Sequence, residues 1–181
     1  MKSVLISIRP QWCEKIASGE KTIEVRKTAP KEVPFKAYIY ETYDKGICWG
    51  NGKCFEHGCK KVIGEFICDK VYLIKNQGSR FSVADEEQSV TNEIARQSCL
   101  DYNDMVSYLG NKDGYGWHIS DLKIYDKPKE LSEFKPICKF DGKDAICALF
   151  CPKCKYDGGL FFECTRKVDR SPQSYMFVEE V

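Results

Sequence analysis

Lys21, Thr22, Glu24 and Arg26 bring two cations, a hydroxyl and a carboxylate into one short stretch, Gly19-Glu20-Lys21-Thr22-Ile23-Glu24-Val25-Arg26. An Arg side chain grips phosphate oxygens with a two-pronged donor set, and a Lys acts on them as a point charge. A Glu between them can accept from an exocyclic amine or a ring N–H of a base, or it can orient the Arg. The same groups suit a hydrolase, with Glu24 as general base toward water and Lys21 as oxyanion stabiliser or base. The plainer reading is a surface ion pair of Glu24 and Arg26 on a solvated strand face, which contributes little.

The elements around this stretch decide where its side chains point. Val4–Ile8 reads as a first strand. Pro10 suits the first turn of a helix, where its missing N–H needs no partner. Trp12, Ile16 and Ala17 then fall on one helical stripe, read as core-facing, and Gly19 fits the position just past the helix end. After Gly19 the period changes to two. Ile23 and Val25 belong to the core, and Thr22, Glu24 and Arg26 to the opposite face. Lys21 sits at the bend, so alternation does not fix its direction.

Further on, 36–42 (KAYIYET) is a strand and 62–74 (VIGEFICDKVYLI) a long β-like segment in which Gly64 marks a bulge or a close backbone approach. Asn76–Phe81 reads as a loop. Asp85–Gly110 is helical, with Thr91 as cap of one helix and Asp101 or Asn103 as cap of another that Gly110 ends. Residues 115–126 (YGWHISDLKIYD) form another strand, and 174–179 closes the chain as a last one. Strands that do not alternate regularly with helices favour a mainly-β α+β fold, a small, partly open β-barrel with short flanking helices. Tyr38, Tyr40, Tyr115 and Trp117 are candidate stacking aromatics, with core packing the plainer role. His118 reads as structural.

Eleven cysteines are many for a reducing compartment, where local clusters read as metal sites rather than disulfides. Cys138, Cys151, Cys154 and Cys164 give C-x12-C-x2-C-x9-C, with Cys147 as an alternative to Cys138. Four thiolates would hold a structural zinc with no open position for chemistry. Cys48, Cys54, His57 and Cys59 carry ligand chemistry at irregular spacing. Cys13, Cys68 and Cys99 read as buried small apolar residues.

The chain of 181 residues carries a net charge of +1, so any nucleic-acid contact must come from a local patch. No apolar run approaches the roughly 20 residues needed to cross a bilayer. The first residues lack the apolar run of a signal peptide, which together point to a cytoplasmic protein with no membrane partner. The length fits one domain over 1–181, with Cys-rich insertions at about 44–60 and 138–166.

Three pieces together resemble a known family: Ser7-Ile8-Arg9-Pro10-Gln11-Trp12 leading into a helix, the signature Gly19-x-Lys21-x-x-Glu24-x-Arg26, and Val62-Ile63-Gly64-Glu65-Phe66. They resemble the ASCH domain, a relative of the PUA domain. Residues 118–125 and 172–180, including Pro172-Gln173-Ser174, look like the long bacterial and phage-type members. The resemblance implies a PUA-like barrel with a cleft lined by Lys21, Thr22, Glu24 and Arg26. It implies RNA or a nucleotide or nucleoside as ligand. Some small members remove an acyl group from acetylated cytidine with a Lys and a Thr in this motif. Glu24 stands where that Thr would be, so the resemblance favours binding over a hydrolase of acylated cytidine or a ribonuclease. A protein-interaction module, with the zinc-stapled insertion as its contact surface, is the third reading.

Overall fold

Residues 62–74 (VIGEFICDKVYLI) and 115–126 (YGWHISDLKIYD) each read as one β-like segment, yet each spans two strands. In a computed structural model the described residues are 1–44, 58–78, 80–137 and 167–181. Among them are β1 (Lys2–Ile8), α1 (Pro10–Ala17), β2 (Ile23–Arg26), β3 (Phe35–Glu41), β4 (Val62–Cys68) and β5 (Val71–Asn76). There follow β6 (Phe81–Val83), α2 (Gln88–Ser98), α3 (Tyr102–Leu109), β7 (Gly114–His118), β8 (Ser120–Lys129) and β9 (Tyr175–Val178). The strands form two sheets, ordered β8-β4-β3-β1-β9 and β2-β7-β5-β6. The result is a mainly-β α+β fold in which the expected barrel is not closed.

The two long segments run antiparallel and turn together from one sheet into the other. Ile67 pairs with Ser120 before the corner and Val71 with Trp117 after it. The turn lets Phe66, Cys68, Trp117 and Ile119 fill one core cluster from both limbs. β-forming side chains stand on both sides of the bend, which is why the sequence reads as two unbroken strands. At the corner the His118 N–H donates to the Lys70 carbonyl at 2.9 Å. The His118 ring Nδ1 lies 2.6 Å from Asp69 Oδ1, a partner the sequence did not name.

In the first sheet β1 and β3 are parallel and buried on both faces. Val4, Ile6, Ile8, Ala37 and Ile39 point into one cluster, and Leu5, Tyr38 and Tyr40 into another. Tyr38, Tyr40 and Trp117 are therefore core residues, and Tyr115 packs against the core rather than forming a stacking wall. At Gly64 a Cβ would come within 2.5 Å of the Lys123 carbonyl oxygen, which is the close approach read from the sequence.

Helix α1 begins with Pro10 in its first turn, and Gly19 (φ +77°) follows its end as expected. Ile16 is buried, but Ala17 is exposed and Trp12 only half-buried, so the stripe is not uniformly core. Helix α2 is capped at Glu87, not at Thr91, which lies inside the helix and whose Oγ1 accepts from the Val83 N–H. Phe81–Val83 pairs with Ile74–Asn76, so both ends of the expected loop Asn76–Phe81 belong to strands. Helix α3 is capped by Asp101 in a reciprocal box with Asp104 and stopped at Gly110. Cys13 and Cys68 are buried, and burial pushes the Cys68 thiol up to about 12. Cys99 is only half-buried, in the left-handed conformation at the end of α2. Cys138, Cys147, Cys151, Cys154 and Cys164 lie outside the described residues, as do Cys48, Cys54 and His57; Cys59 is exposed. Among the described residues no helix is long and apolar enough to cross a membrane.

Candidate functional site

Strand β2 is a short ribbon with one side chain set in the core and the other on a cleft. It pairs with β7, placing Ile23 opposite His118 and Arg26 opposite Tyr115. Ile23 and Val25 join Ile74, Ile94, Met105 and Leu109 in a third core cluster under α2 and α3. Alternation then holds Glu24 and Arg26 on the other face, as the sequence predicts. That face is not solvated. Glu24 is 6% and Arg26 5% exposed, and Lys21 is 2% exposed, which overturns the surface ion-pair reading.

The three charges form one row. Glu24 Oε2 lies 3.4 Å from Lys21 Nζ, and Glu24 Oε1 lies 3.4 Å from Arg26 Nη1. Both contacts are longer than the roughly 2.7–2.9 Å of a tight charge-assisted bond, so the carboxylate retains acceptor capacity. Lys21 donates to the carbonyls of Ile23 at 2.8 Å and Ser98 at 2.6 Å. Toward Glu24 it makes an ion pair and no hydrogen bond, so two of its three N–H donors have carbonyl partners. Arg26 is similarly engaged. Its Nη1 donates to the Ser7 carbonyl at 3.0 Å and its Nη2 to the Ser174 carbonyl, while its buried Nε meets no acceptor among the described residues.

Above the row a cleft of about 390 Å³ opens between the end of β1, α1 and α3. This falls within the roughly 300–1,000 Å³ of small-ligand sites. Lys21, Glu24 and Arg26 all line it; Thr22 does not. The Thr22 N–H donates to the Gln97 carbonyl at 3.0 Å, and its own carbonyl accepts from Ile119 at 2.9 Å, so its backbone ties β2 to its neighbours. Trp12 and Tyr108 contribute aromatic surface, and Trp12 also lies 5.4 Å from Lys21 Nζ. Burial pushes the Tyr108 phenol up; Arg26 opposes that shift and Glu24 adds to it. Arg9, Gln11 and Gln173 complete the polar lining. Arg9, Lys21 and Arg26 against Glu24 and Asp104 make the lining net positive, which favours an anionic ligand.

Sequence reasoning placed Glu24 and Arg26, left the direction of Lys21 open, put Thr22 on a face where it does not line the cleft, and missed the walls. The Trp12 stripe reads as core because helical spacing alone cannot separate a half-buried edge from a buried one. Tyr108 carried no signal beyond its place in a helix. Gln173 lay in a stretch quoted for its resemblance, but nothing in its type marked it as a cleft residue.

The two sheets, the helices between them and the cleft on β2 define an ASCH-like fold. The chain is similar to the crystal structure of ASCH from Zymomonas mobilis, with a TM-score of 0.57 and 16% identity, covering 99% of this chain and 89% of that one. A tyrosine-to-phenylalanine mutant of that protein gives a TM-score of 0.51 and 19% identity over 72% of this chain and 77% of that chain. A serine-to-alanine mutant gives 0.51 and 20% over 72% and 75%. No protein-family model matches the sequence, and no curated protein matches it.

Proposed function

We propose that the cleft binds a single nucleotide unit, free or within single-stranded RNA. The observation that carries this reading is the buried Lys21–Glu24–Arg26 row lying in one concave site with Trp12 and Tyr108. The aromatics suit stacking of a base, Glu24 suits an amine or ring N–H, and the positive lining suits a phosphate, with the exposed Arg9 guanidinium in that lining. The ASCH-like fold supports an RNA-related role. A hydrolase would ask Lys21 to move a proton or meet an oxyanion, and two of its three donors are already held by carbonyls, with Glu24 paired to its charge. Binding is therefore the better-supported activity.

Calorimetric titration with the four ribonucleoside monophosphates and a short single-stranded RNA tests the reading. Binding is expected to weaken as salt is raised. Trp12→Leu keeps an apolar cover over the core and is expected to weaken binding by roughly 1–3 kcal/mol, the worth of one stacked base. No binding to any of these ligands at millimolar concentration would overturn the reading.

A further inference from the structure

The three cations of the cleft do different work. Lys21 and Arg26 are buried and turned toward the protein: Lys21 donates to the carbonyls of Ile23 and Ser98, and Arg26 to those of Ser7 and Ser174. Both also flank Glu24, each at 3.4 Å, so a phosphate held by either would lie beside a carboxylate. Like charges so placed repel strongly. Arg9 lines the same cleft and is exposed. Its backbone is fixed, because its carbonyl accepts from the Trp12 N–H at 3.0 Å and the Cys13 N–H at 3.1 Å. Arg9 is also the N-cap of α1. Its side chain makes no capping bond, no acid stands in the first turn, and Pro10 follows it. The next N–H, that of Gln11, has no acceptor within the helix, and Gln11 lines the cleft beside Arg9. An uncapped helix start favours an anion. The floor is likewise rich in donors, since Arg26 is 5% exposed and its Nε meets no acceptor among the described residues. The α3 wall has the opposite sign, with Asp104 in the lining.

We infer that the start of α1 is the phosphate subsite of the cleft, where Arg9 and the Gln11 N–H hold the phosphate of a nucleotide and Lys21 and Arg26 do not. The inference rests on the nucleotide reading above. An exposed guanidinium can turn to grip two phosphate oxygens, which a buried side chain bound to backbone carbonyls cannot do. The spacing of Lys21 and Arg26 suggested that they grip phosphate. In the folded chain they are positioning residues, which hold Glu24 between them and anchor the backbone around the floor. The cleft is therefore polarised. Phosphate lies at the α1 end, and the base is left to Glu24, Trp12 and Tyr108.

The test compares dissociation constants of the four ribonucleosides with those of their monophosphates in the unsubstituted protein, Arg9→Gln and Arg9→Lys. The unsubstituted protein is expected to bind a monophosphate roughly tenfold or more tightly than its nucleoside, the scale of one hydrogen bond to a charged group. Arg9→Gln is expected to bring that ratio close to one and to flatten the salt dependence of monophosphate binding. Arg9→Lys keeps the charge but loses the fork, so its ratio is expected to fall between the two. An unchanged ratio in Arg9→Gln, or an equal loss for nucleoside and monophosphate, overturns the inference and leaves the nucleotide reading standing. So does equal affinity for both in the unsubstituted protein. No binding of any of these ligands by the unsubstituted protein defeats both. Arg9 is exposed, so a folding failure is not expected, and a thermal melt of each variant checks that.

Discussion

Two cavities flank Leu100, which lines both, and they are built on opposite physics. One is the cleft over β2, with a buried carboxylate between two buried cations. The other, about 240 Å³ between β6, α2 and α3, is walled by Ile74, Phe81, Val83, Ile94 and Met105. The second is what remains when two short helices pack on a three-residue strand. It asks nothing of its lining except apolar surface. The first demands that charge be taken out of water, which packing alone never requires. Where a fold tolerates such desolvation, and aligns it with aromatic walls, a ligand gives the arrangement a purpose.

The sharpest way to break this contrast is to remove the charge that joins the row. Glu24→Ala leaves Lys21 and Arg26 buried side by side without a carboxylate. Breaking a buried ion pair from one side costs about 3–5 kcal/mol, and that loss is expected here. Urea unfolding measures it. Glu24→Gln, which keeps the shape and one acceptor oxygen, is expected to lose less. A loss under about 1 kcal/mol in Glu24→Ala would place the row in the class of exposed ion pairs and remove the distinction between the cavities.

The row shows how far the sequence could be read. The period of two from Ile23 to Arg26 placed Glu24 and Arg26 together, and Gly19 explained how the strand is entered. Lys21 could not be placed, because its direction depends on Ser98, contributed by α2 far along the chain. The corner at Asp69–Lys70 and Ile119 was equally hidden. β-forming side chains stand on both sides of that turn, so composition does not mark it, and both limbs share one core. Thr91 looked like a cap by residue type, yet the Val83 N–H uses it from inside the helix. Local chemistry was legible, and long-range partners were not.

The second cavity is expected to respond through volume. Met105→Ala enlarges a space that is already partly empty. Core Met→Ala changes cost about 2–5 kcal/mol, and the lower end is expected because Met105 already borders a void. Nucleotide affinity is expected to stay as in the unsubstituted protein. Urea unfolding and the calorimetric titration read the two effects separately. A parallel loss of affinity would show that the Leu100 wall transmits a change from one cavity to the other, and the two could no longer be treated as independent.

The smallest effect calibrates the others. Asp69, in the corner between β4 and β5, and His118, on the strand that pairs with β2, also form a close pair, but their side chains are 51% and 35% exposed. The hydrogen bond from His118 holds the Asp69 carboxyl below its ordinary range. A lowered carboxyl stabilises the fold above its unfolded pKa, near 3.9, and that contribution fades as pH falls through the lowered value. Asp69→Asn is therefore expected to lose no more than about 1 kcal/mol at neutral pH, because solvent screens an exposed pair. The difference from the unsubstituted protein is expected to shrink as pH falls below the ordinary carboxylate range, where the unfolded carboxyl is protonated first and the native one follows. Urea midpoints at neutral and acid pH measure this. Burial separates the cleft row from this corner, and a neutral-pH loss equal to that of Glu24→Ala would mean that the number of charges, not their desolvation, sets the scale.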